Sequence, residues 1–408
     1  MAEQSPTAGA DQPPITGAAA ASQSKADATK AAAAAAALFL PFLHSVRLGD
    51  TSGAADVLRD SLRDHHAELA PPARILLQRA IEWARRSSRT EAYADNADAF
   101  ELFIDHGGNI GLYNAVRDAL APRYERAAGN SGGDGVWTLL DIGCGSGRGV
   151  APALEQCCPT KRPLRVDAVD PTADMLRVGT AKVSALLQER PGDEAKCVPH
   201  NATLQQFQAS EDASGPSRRS WTACQATFSM HNLSPAERAP RLRWLAERTQ
   251  TLWIVEFDVP KVLTRAAGVD AAGEAARAKA VFEAYARGVA EYLPPALPEA
   301  AAMRVLDGFL VPILMSSFAN EGKKAQQQDV EGAADCEGDD AAADTQTTFE
   351  QTAEEWAAEL KQAGFRSVSV HRLFPYWWAD AVLIEGSHGE TTTVDAENKN
   401  IRNDERPV

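Results

Sequence analysis

The feature that limits the fold most is an alternation of apolar, strand-length runs with helical segments from Val136 onward. Five such runs precede Pro260: "VWTLLDIG", "LRVDAVD", "AKCVPHN", "WTACQATFSMH" and "TLWIVEFDV". Two more, "RSVSVHRL" and "WWADAVLIEG", follow Phe365. Strands that alternate with helices are joined by right-handed crossovers, and strands apolar on both faces belong to a sheet covered on both sides. We therefore expect an α/β fold, a doubly wound, Rossmann-like, seven-stranded, mostly parallel sheet with an antiparallel last strand.

Composition divides the rest of the chain. Residues 1–37 are rich in Ala, Ser, Thr, Gln and Pro, which predicts a disordered tail, and apolar residues three and four apart predict an N-terminal helical region over 38–129. The sheet domain is expected over 130–386. Within it, helical spacing predicts a cap over 266–318, and polar, acidic composition predicts a disordered insertion over 319–348. Residues 387–408 are polar, which predicts a loose tail.

The apolar stretch "KAAAAAAALFLPFL" imitates the core of a signal peptide. It begins late, and the residues before it include acids and no basic cluster at the start. It is also shorter than the roughly 20 apolar residues that cross a bilayer. An alanine-rich tail leading into the first helix is the favoured interpretation, no membrane partner is expected, and an organellar transit peptide is the alternative.

Charge and cysteine content narrow the class of protein. The formal net charge is −15, and an acidic chain is repelled by phosphate backbones, so no nucleic acid partner is expected. The six cysteines are scattered and form no C-x-x-C pair, which argues against a zinc site and a disulfide scaffold. A reducing, cytoplasmic compartment fits best.

A glycine-rich turn follows the first apolar run, in "TLLDIGCGSGRG". Neither a dinucleotide fingerprint nor a P-loop fits, because Arg148 stands where the third fingerprint glycine would be and no lysine is present. The pattern that remains is D-x-G-x-G-x-G, formed by Asp141, Gly143, Gly145 and Gly147. Glycines let a bulky ligand approach the backbone, and the acidic residue favours a cationic ligand and repels pyrophosphate.

This turn resembles motif I of the class I S-adenosylmethionine-dependent methyltransferases. The strings "FSMHNLSP", "IVEFDVP" and "YWWA" are similar to uncharacterised, actinobacterial-type members of that family. The resemblance covers about residues 100–385 and implies S-adenosylmethionine as the cofactor. This ligand carries a sulfonium and an ammonium, which suit the carboxylate of Asp141.

Two further strand ends agree with this resemblance. Asp170 ends the second strand, where a carboxylate can accept both ribose hydroxyls, although it could instead cap the helix that follows. Asn201 and Ala202 end the third strand, where the family has an acidic or amide residue beside the adenine.

Candidate catalytic and substrate-binding residues lie at the carboxyl ends of later strands, where open parallel sheets bind their ligands. His231 is the first titratable residue after the fourth strand, and an imidazole suits a general base near neutral pH. The alternative is that His231 is structural and that alignment alone carries the reaction. Glu256 and Asp258 end the fifth strand, and one of them is expected to orient His231 or bind substrate, with an ion pair to the helices as the alternative.

Aromatic residues complete the expected acceptor site. Tyr376 and Trp377, with Trp378, offer a flat wall to an aromatic or polyketide-like acceptor, unless some of them are core residues. Tyr113 lies on a helix expected to cover the cofactor.

These residues predict an enzyme that transfers a methyl group to an O or C nucleophile of a small organic metabolite. No Asn/Asp-Pro-Pro-aromatic sequence follows the fourth strand, which argues against methylation of nucleic acid, and no cluster of carboxylates indicates a metal. The alternative is a catalytically silent protein that keeps S-adenosylmethionine, or only the fold, as a scaffold.

Overall fold

A computed structural model describes residues 34–46, 48–86, 97–130, 137–189, 195–214, 219–264, 271–315 and 349–389. The predictions of disorder for the insertion at 319–348, for nearly all of the N-terminal tail and for residues 390–408 lie outside these ranges. No helix in the described ranges is both long enough and apolar enough to span a bilayer.

Seven strands form one sheet in the order β3-β2-β1-β4-β5-β7-β6. Their bounds are β1 Thr138–Ile142, β2 Arg165–Asp170, β3 Lys196–Asn201, β4 Trp221–Thr227, β5 Thr249–Asp258, β6 Ser367–Phe374 and β7 Asp380–Ser387. Strands β1 to β5 pair in parallel, and β7 lies antiparallel between β5 and β6. The predicted fold class is therefore confirmed, including the antiparallel last strand.

The helices of the sheet region are α5 Gly108–Asn130, α6 Ala151–Gln156, α7 Ala173–Gln188, α8 Leu204–Ala213, α9 Pro235–Ala246 and α13 Ala353–Ala363. The remaining helices are α1 (34–46), α2 Thr51–Asp64, α3 Pro71–Arg85, α4 Ala97–Ile104, α10 Ala271–Tyr292, α11 Glu299–Val305 and α12 (311–315), with a π-helical turn at Leu306–Leu310 between the last two.

Each face of the sheet packs against three helices. On one face, β1 contributes Leu139 to a core with α5, α6 and α7 that includes Tyr124 and Leu154. On the other face, Leu140 packs with α8, α9 and α13 in a core that includes Trp356. The alternation of Leu139 and Leu140 explains why the strands read as apolar on both faces.

The antiparallel strand follows from a short connection. Only residues 375–379 join β6 to β7, and a connection of that length makes a hairpin, whereas a parallel pair needs a crossover of a dozen or more residues. Because β6 is antiparallel to β7, and β7 to β5, β6 runs in the direction of β5. The 375–379 connection therefore lies at the edge where the other parallel strands end.

The chain divides into two compact units. One comprises residues 1–100 and 270–338, and the other 101–269 and 339–408. In the first, Phe39 of α1 packs on Phe282 of α10 with ring centroids 4.8 Å apart, and Arg79 of α3 pairs with Asp307 at 3.3 Å. The second contains the whole sheet together with α5, so α5 is grouped with the sheet and not with α1, α2 and α3. The predicted domain bounds stay predictions.

Candidate active site

The glycine turn after β1 has the backbone that its sequence requires. Gly143, Gly145 and Gly147 have φ angles of +62°, +49° and +77°, a left-handed region that other residues rarely adopt. A Cβ on Gly143 would lie 2.3 Å from the Cβ of Ser229, and one on Gly147 would lie 3.1 Å from the Cα of Gly179. A Cβ on Gly145 would meet nothing within 4 Å. Two of these glycines therefore permit close packing, and Gly145 faces open space.

Asp170, at the end of β2, holds this turn in place. Its Oδ2 accepts the backbone N–H of Gly145 at 2.8 Å, and its Oδ1 accepts that of Thr172 at 2.8 Å. A carboxylate oxygen has two lone pairs, so both oxygens keep the capacity to accept a further hydrogen bond. The Asp170 side chain is thus a structural part of the turn as well as a candidate ligand group.

Asn201 and Ala202 lie at the end of the neighbouring strand, β3. The Nδ2 of Asn201 donates to the carbonyl oxygens of Asp170 and Pro171, at 3.1 and 2.9 Å. The backbone N–H of Ala202 also donates to the Asp170 carbonyl, at 3.2 Å. These bonds bring both predicted residues to the same sheet edge as the glycine turn, and they fix the backbone after β2.

Asp141 is buried at the end of β1, and a neutral amide is its partner. The Nε2 of Gln225, on β4, donates to its Oδ1 at 3.0 Å. Burial raises the pKa of the Asp141 carboxyl to about 7, the hydrogen bond from Gln225 opposes this, and the charge of Asp170 adds to it. Asp141 is therefore a carboxyl group that a nearby cation would ionise.

His231 lies just after β4, in a short 3-10 turn at Met230–Asn232. Its Nδ1 is 2.8 Å from Oε2 of the buried Glu256, on β5. The other oxygen of Glu256 accepts the backbone N–H groups of Met230 and His231, at 2.9 and 3.2 Å. This carboxylate fixes the ring and favours a proton on Nδ1, so that Nε2 carries the lone pair of the neutral imidazole.

The charge around His231 changes its acidity. Burial lowers the pKa of its imidazole, but the charge and hydrogen bond of Glu256, with the charge of Glu350, outweigh burial and raise this pKa above its ordinary value. An imidazole with a raised pKa keeps its proton to a higher pH, so a base at this position becomes active at a higher pH than an ordinary imidazole would.

The turn that carries His231 is fastened by a buried arginine. Arg238 of α9 donates to the carbonyl oxygen of Leu233 at 2.9 Å and to both carboxylate oxygens of Glu359, at 2.7 and 2.9 Å. Its guanidinium lies 4.3 Å from the ring centroid of Trp356. Arg238 is thus a buried residue that joins the segment after this turn to α13.

Half-buried aromatic rings lie at the carboxyl ends of β4 and β5. Phe228 and Phe257 are stacked with centroids 4.8 Å apart, and Phe257 and Tyr376 are stacked at 5.4 Å. Tyr113 of α5 meets Phe228 edge-on at 6.0 Å, and Trp377 lies 5.3 Å from Tyr376. We call these five residues the aromatic row. It brings together three residues that the sequence predicted for the substrate, with Phe228 and Phe257 as additions.

Phe228 stands out in its backbone. Its φ is +50°, and among the described residues it is the one non-glycine with a positive φ. Strain of this kind persists where the surroundings enforce it and is concentrated at functional sites. The Phe228 N–H donates to the Val255 carbonyl at 2.8 Å, which continues the pairing of β4 with β5 to the end of the strand.

Two hydrogen bonds fix the 375–379 connection at this edge. The Tyr376 hydroxyl donates to Oδ1 of the buried Asn109 on α5, at 2.9 Å. The indole N–H of Trp378 donates to Glu350, at 3.0 Å. The aromatic row is therefore held between α5 and the segment before α13.

Asp258, the last predicted substrate residue, has a structural partner. Its Oδ1 accepts the backbone N–H of Ala353, the first residue of α13, at 2.7 Å. A carboxylate at a helix N-terminus interacts favourably with the helix dipole. Substrate binding by Asp258 stays a prediction.

No three His, Cys, Asp or Glu side chains in the described ranges are placed to hold a metal ion.

The sequence did not predict Tyr124, Gln225, Phe228 and Phe257 as site residues. Phe228 and Phe257 could have been found as aromatic residues at the ends of adjacent strands, whereas Tyr124 has no local signal.

The sequence matches no protein-family profile, and none of the curated proteins resembles it significantly. Among solved structures, it is similar to SCL7 of Oryza sativa, with 14% identity over 85% of this chain and 99% of that chain and a TM-score of 0.52. More distant similarities are to magnesium protoporphyrin IX methyltransferase (ChlM) from Synechocystis PCC 6803 with bound SAM (11% identity, 72% of this chain, 92% of that chain, TM-score 0.38) and to mitomycin 7-O-methyltransferase MmcR (13%, 85%, 75%, 0.37). The likeness to SCL7 is one of fold.

Proposed function

We propose that this chain transfers a methyl group from S-adenosylmethionine to an O or C nucleophile of a small organic metabolite. One observation carries the proposal: the buried carboxyls of Asp141 and Asp170 lie at the ends of neighbouring strands, and Gly145, whose N–H bonds Asp170, faces open space in a left-handed conformation. A cationic, bulky ligand fits this arrangement. A pyrophosphate does not, because two carboxylates would repel it.

The residues at this edge fit S-adenosylmethionine group by group. Asp141 would hold a cationic group, and Asp170 would accept ribose hydroxyls on lone pairs left over from its two backbone bonds. Asn201 and Ala202, at the end of β3, would lie beside the adenine. When bound, the cofactor supplies a methyl group on a positively charged sulfur.

His231 would take the proton of the acceptor. Glu256 holds Nδ1, which leaves Nε2 to accept a proton from a hydroxyl or an activated carbon. The aromatic row offers half-buried ring surface to the acceptor, and its strained Phe228 supports a functional role for this edge. A small metabolite with an apolar or aromatic body suits such a surface, and the acidic chain suits nucleic acid poorly.

The second candidate is a protein that keeps the fold as a scaffold and has no activity. The arrangement of His231 and Glu256 favours catalysis over this alternative. The buried carboxylate of Glu256 binds one imidazole nitrogen and two backbone N–H groups. Burying a charge costs roughly several kcal/mol of unfolding free energy, and a catalytic role for His231 would explain why this pair is present.

Titration calorimetry tests the proposal. The chain should bind S-adenosylmethionine and S-adenosylhomocysteine, while NAD gives no heat of binding. Incubation with methyl-labelled cofactor and a metabolite extract should then place label in a small molecule and release S-adenosylhomocysteine. Binding of NAD without S-adenosylmethionine would overturn the assignment, and cofactor binding without any transfer would favour the scaffold.

A further inference from the structure

A chain of hydrogen bonds runs from α5 through β4 to the end of β1. The hydroxyl of Tyr124 bonds Oε1 of Gln225, and Nε2 of Gln225 donates to Asp141 at 3.0 Å. The exposed fractions are 0% for Tyr124, 1% for Gln225 and 2% for Asp141, so water cannot replace these partners. The proposed function assigns the last group of this chain, Asp141, to the cationic part of the cofactor.

Two partners together fix which way the Gln225 amide points: the carboxylate of Asp141 accepts from its NH₂ group, and the hydroxyl of Tyr124 donates to its Oε1. Burial raises the pKa of the Tyr124 hydroxyl well above its ordinary value, so it stays protonated and donates to Oε1. That leaves the NH₂ group of Gln225 facing the carboxyl of Asp141. A reversed amide would put its carbonyl oxygen against Asp141 and its NH₂ against a hydroxyl, and a carboxylate cannot accept a bond from a carbonyl.

Within the described part of the chain, no counter-ion competes with this amide at Asp141. The ionisable groups that act on it or respond to it are the hydroxyl of Tyr124 on α5, the carboxylate of Asp170 on β2 and the thiols of Cys144, Cys197 and Cys224. All of these are neutral or negative. A cationic ligand would therefore meet an Asp141 that accepts from the amide of Gln225 and has neutral or negative groups around it.

We propose that Gln225 and Tyr124 are positioning residues for the cofactor: Tyr124 orients the amide of Gln225, and this amide holds the carboxylate of Asp141 ready for a cation. The proposal rests on the proposed function. Without the amide donor the negative form of Asp141 would lose its stabilising partner, and a cationic ligand would have to supply more of the free energy of ionisation. Tyr124 and Gln225 thus set cofactor affinity without touching the cofactor.

Calorimetric titration of S-adenosylhomocysteine between pH 5.5 and 7.5 tests this. Wild-type affinity should rise by about ten-fold or more across this range, because the pKa of Asp141 lies near 7 and the ionised form binds. Gln225→Leu should weaken binding at pH 7 by about ten-fold, as expected for a lost bond to a charged group. Tyr124→Phe, which frees the amide to rotate, should weaken it by roughly two- to five-fold. Both variants should need a higher pH for half-maximal affinity.

Tyr292→Phe is the matched control, because Tyr292 is a fully buried tyrosine in the other compact unit. It should leave affinity and its pH profile unchanged. Tyr124→Phe keeps the ring that packs on Trp137 and Trp253, so it reports the hydroxyl even if Gln225→Leu fails to fold. Wild-type affinity and pH profile in Tyr124→Phe would overturn the positioning role alone. Absence of binding by the wild type would overturn the proposed function, and with it this role.

Discussion

The two ends of the carboxyl edge of the sheet are built from different parts of the chain. At the ends of β1, β2 and β3 the contacts are mostly backbone groups: the N–H groups of Gly145 and Thr172 on Asp170, and that of Ala202 on the Asp170 carbonyl. At the ends of β4, β5 and β6 they are side chains, namely the aromatic row and the pair of His231 with Glu256.

Because of this difference, the two ends should respond differently to amino-acid substitution. A surface made of backbone groups suits the cofactor, which is the same molecule in every turnover. Such a surface depends on φ angles that few residues adopt. A surface made of side chains can change with the acceptor while the fold stays intact. We therefore expect changes at the first end to remove cofactor binding, and changes at the second to alter turnover while cofactor affinity stays constant.

The largest effect is expected at Gly145. Gly145→Val places a β-branched side chain at φ +49° in the open space beside Asp170, and we expect cofactor affinity to fall by more than about a hundred-fold through strain and lost space. Isothermal calorimetry with S-adenosylmethionine measures this.

Gly49→Val separates strain from blockage. Gly49 has φ +86° and open space around its Cβ position, and it lies in the other compact unit. This control should lower the melting temperature and keep wild-type affinity. Gly145→Asn, which tolerates the left-handed region, should fold well and still bind poorly. Normal binding by both Gly145 variants would place the cofactor elsewhere.

The same two ends differ in how far the sequence predicts them. Asp141, the glycines and Asp170 lie within 30 residues and follow strands, so local pattern and the parallel-sheet rule bring them together. The fold class follows from the alternation of strand-length apolar runs with helical segments. The partners of this carboxyl could not be predicted, because Gln225 is 84 residues from Asp141 and Tyr124 is 101 residues from Gln225. Tyr124 meets Gln225 only through the packing of α5 on the sheet.

At the acceptor end the sequence indicated the residues but not their partners. One of Glu256 and Asp258, at the end of β5, was expected to orient His231 or bind substrate. In the structure Glu256 bonds His231, and Asp258 bonds α13. The choice depends on where residues 349–353 return to the sheet, nearly 100 positions later in the chain, which no local periodicity encodes.

A second, smaller effect is expected at His231. His231→Ala should leave cofactor affinity unchanged and lower turnover by about a hundred-fold, the usual loss for a missing general base. His231→Gln should behave alike, since an amide does not accept a proton at neutral pH. In the wild type the rate should rise with pH, with a midpoint above 6.5, because the pKa of His231 is raised and the neutral ring is the active form.

Glu256→Gln sharpens this test. Removal of the charge leaves burial as the larger influence, so the pKa of His231 should fall and the midpoint of the rate profile should move toward acid. Unchanged turnover in both His231 variants would show that the histidine is structural and that alignment beside the aromatic row carries the reaction.

The smallest effect is expected at Asp258, the last residue of β5. Asp258→Ala removes the acceptor for the first N–H of α13, and the loss of such a contact at a helix N-terminus costs about 1 kcal/mol of unfolding free energy. Chemical denaturation should show this loss while KM and kcat for the acceptor stay at wild-type values. Thr352→Ala, which removes the side-chain cap of the same helix, is the matched control and should cost a similar amount. If Asp258 binds the acceptor, the result reverses: KM rises in Asp258→Ala and not in Thr352→Ala, and the boundary between structural and acceptor-binding side chains moves one residue further along β5.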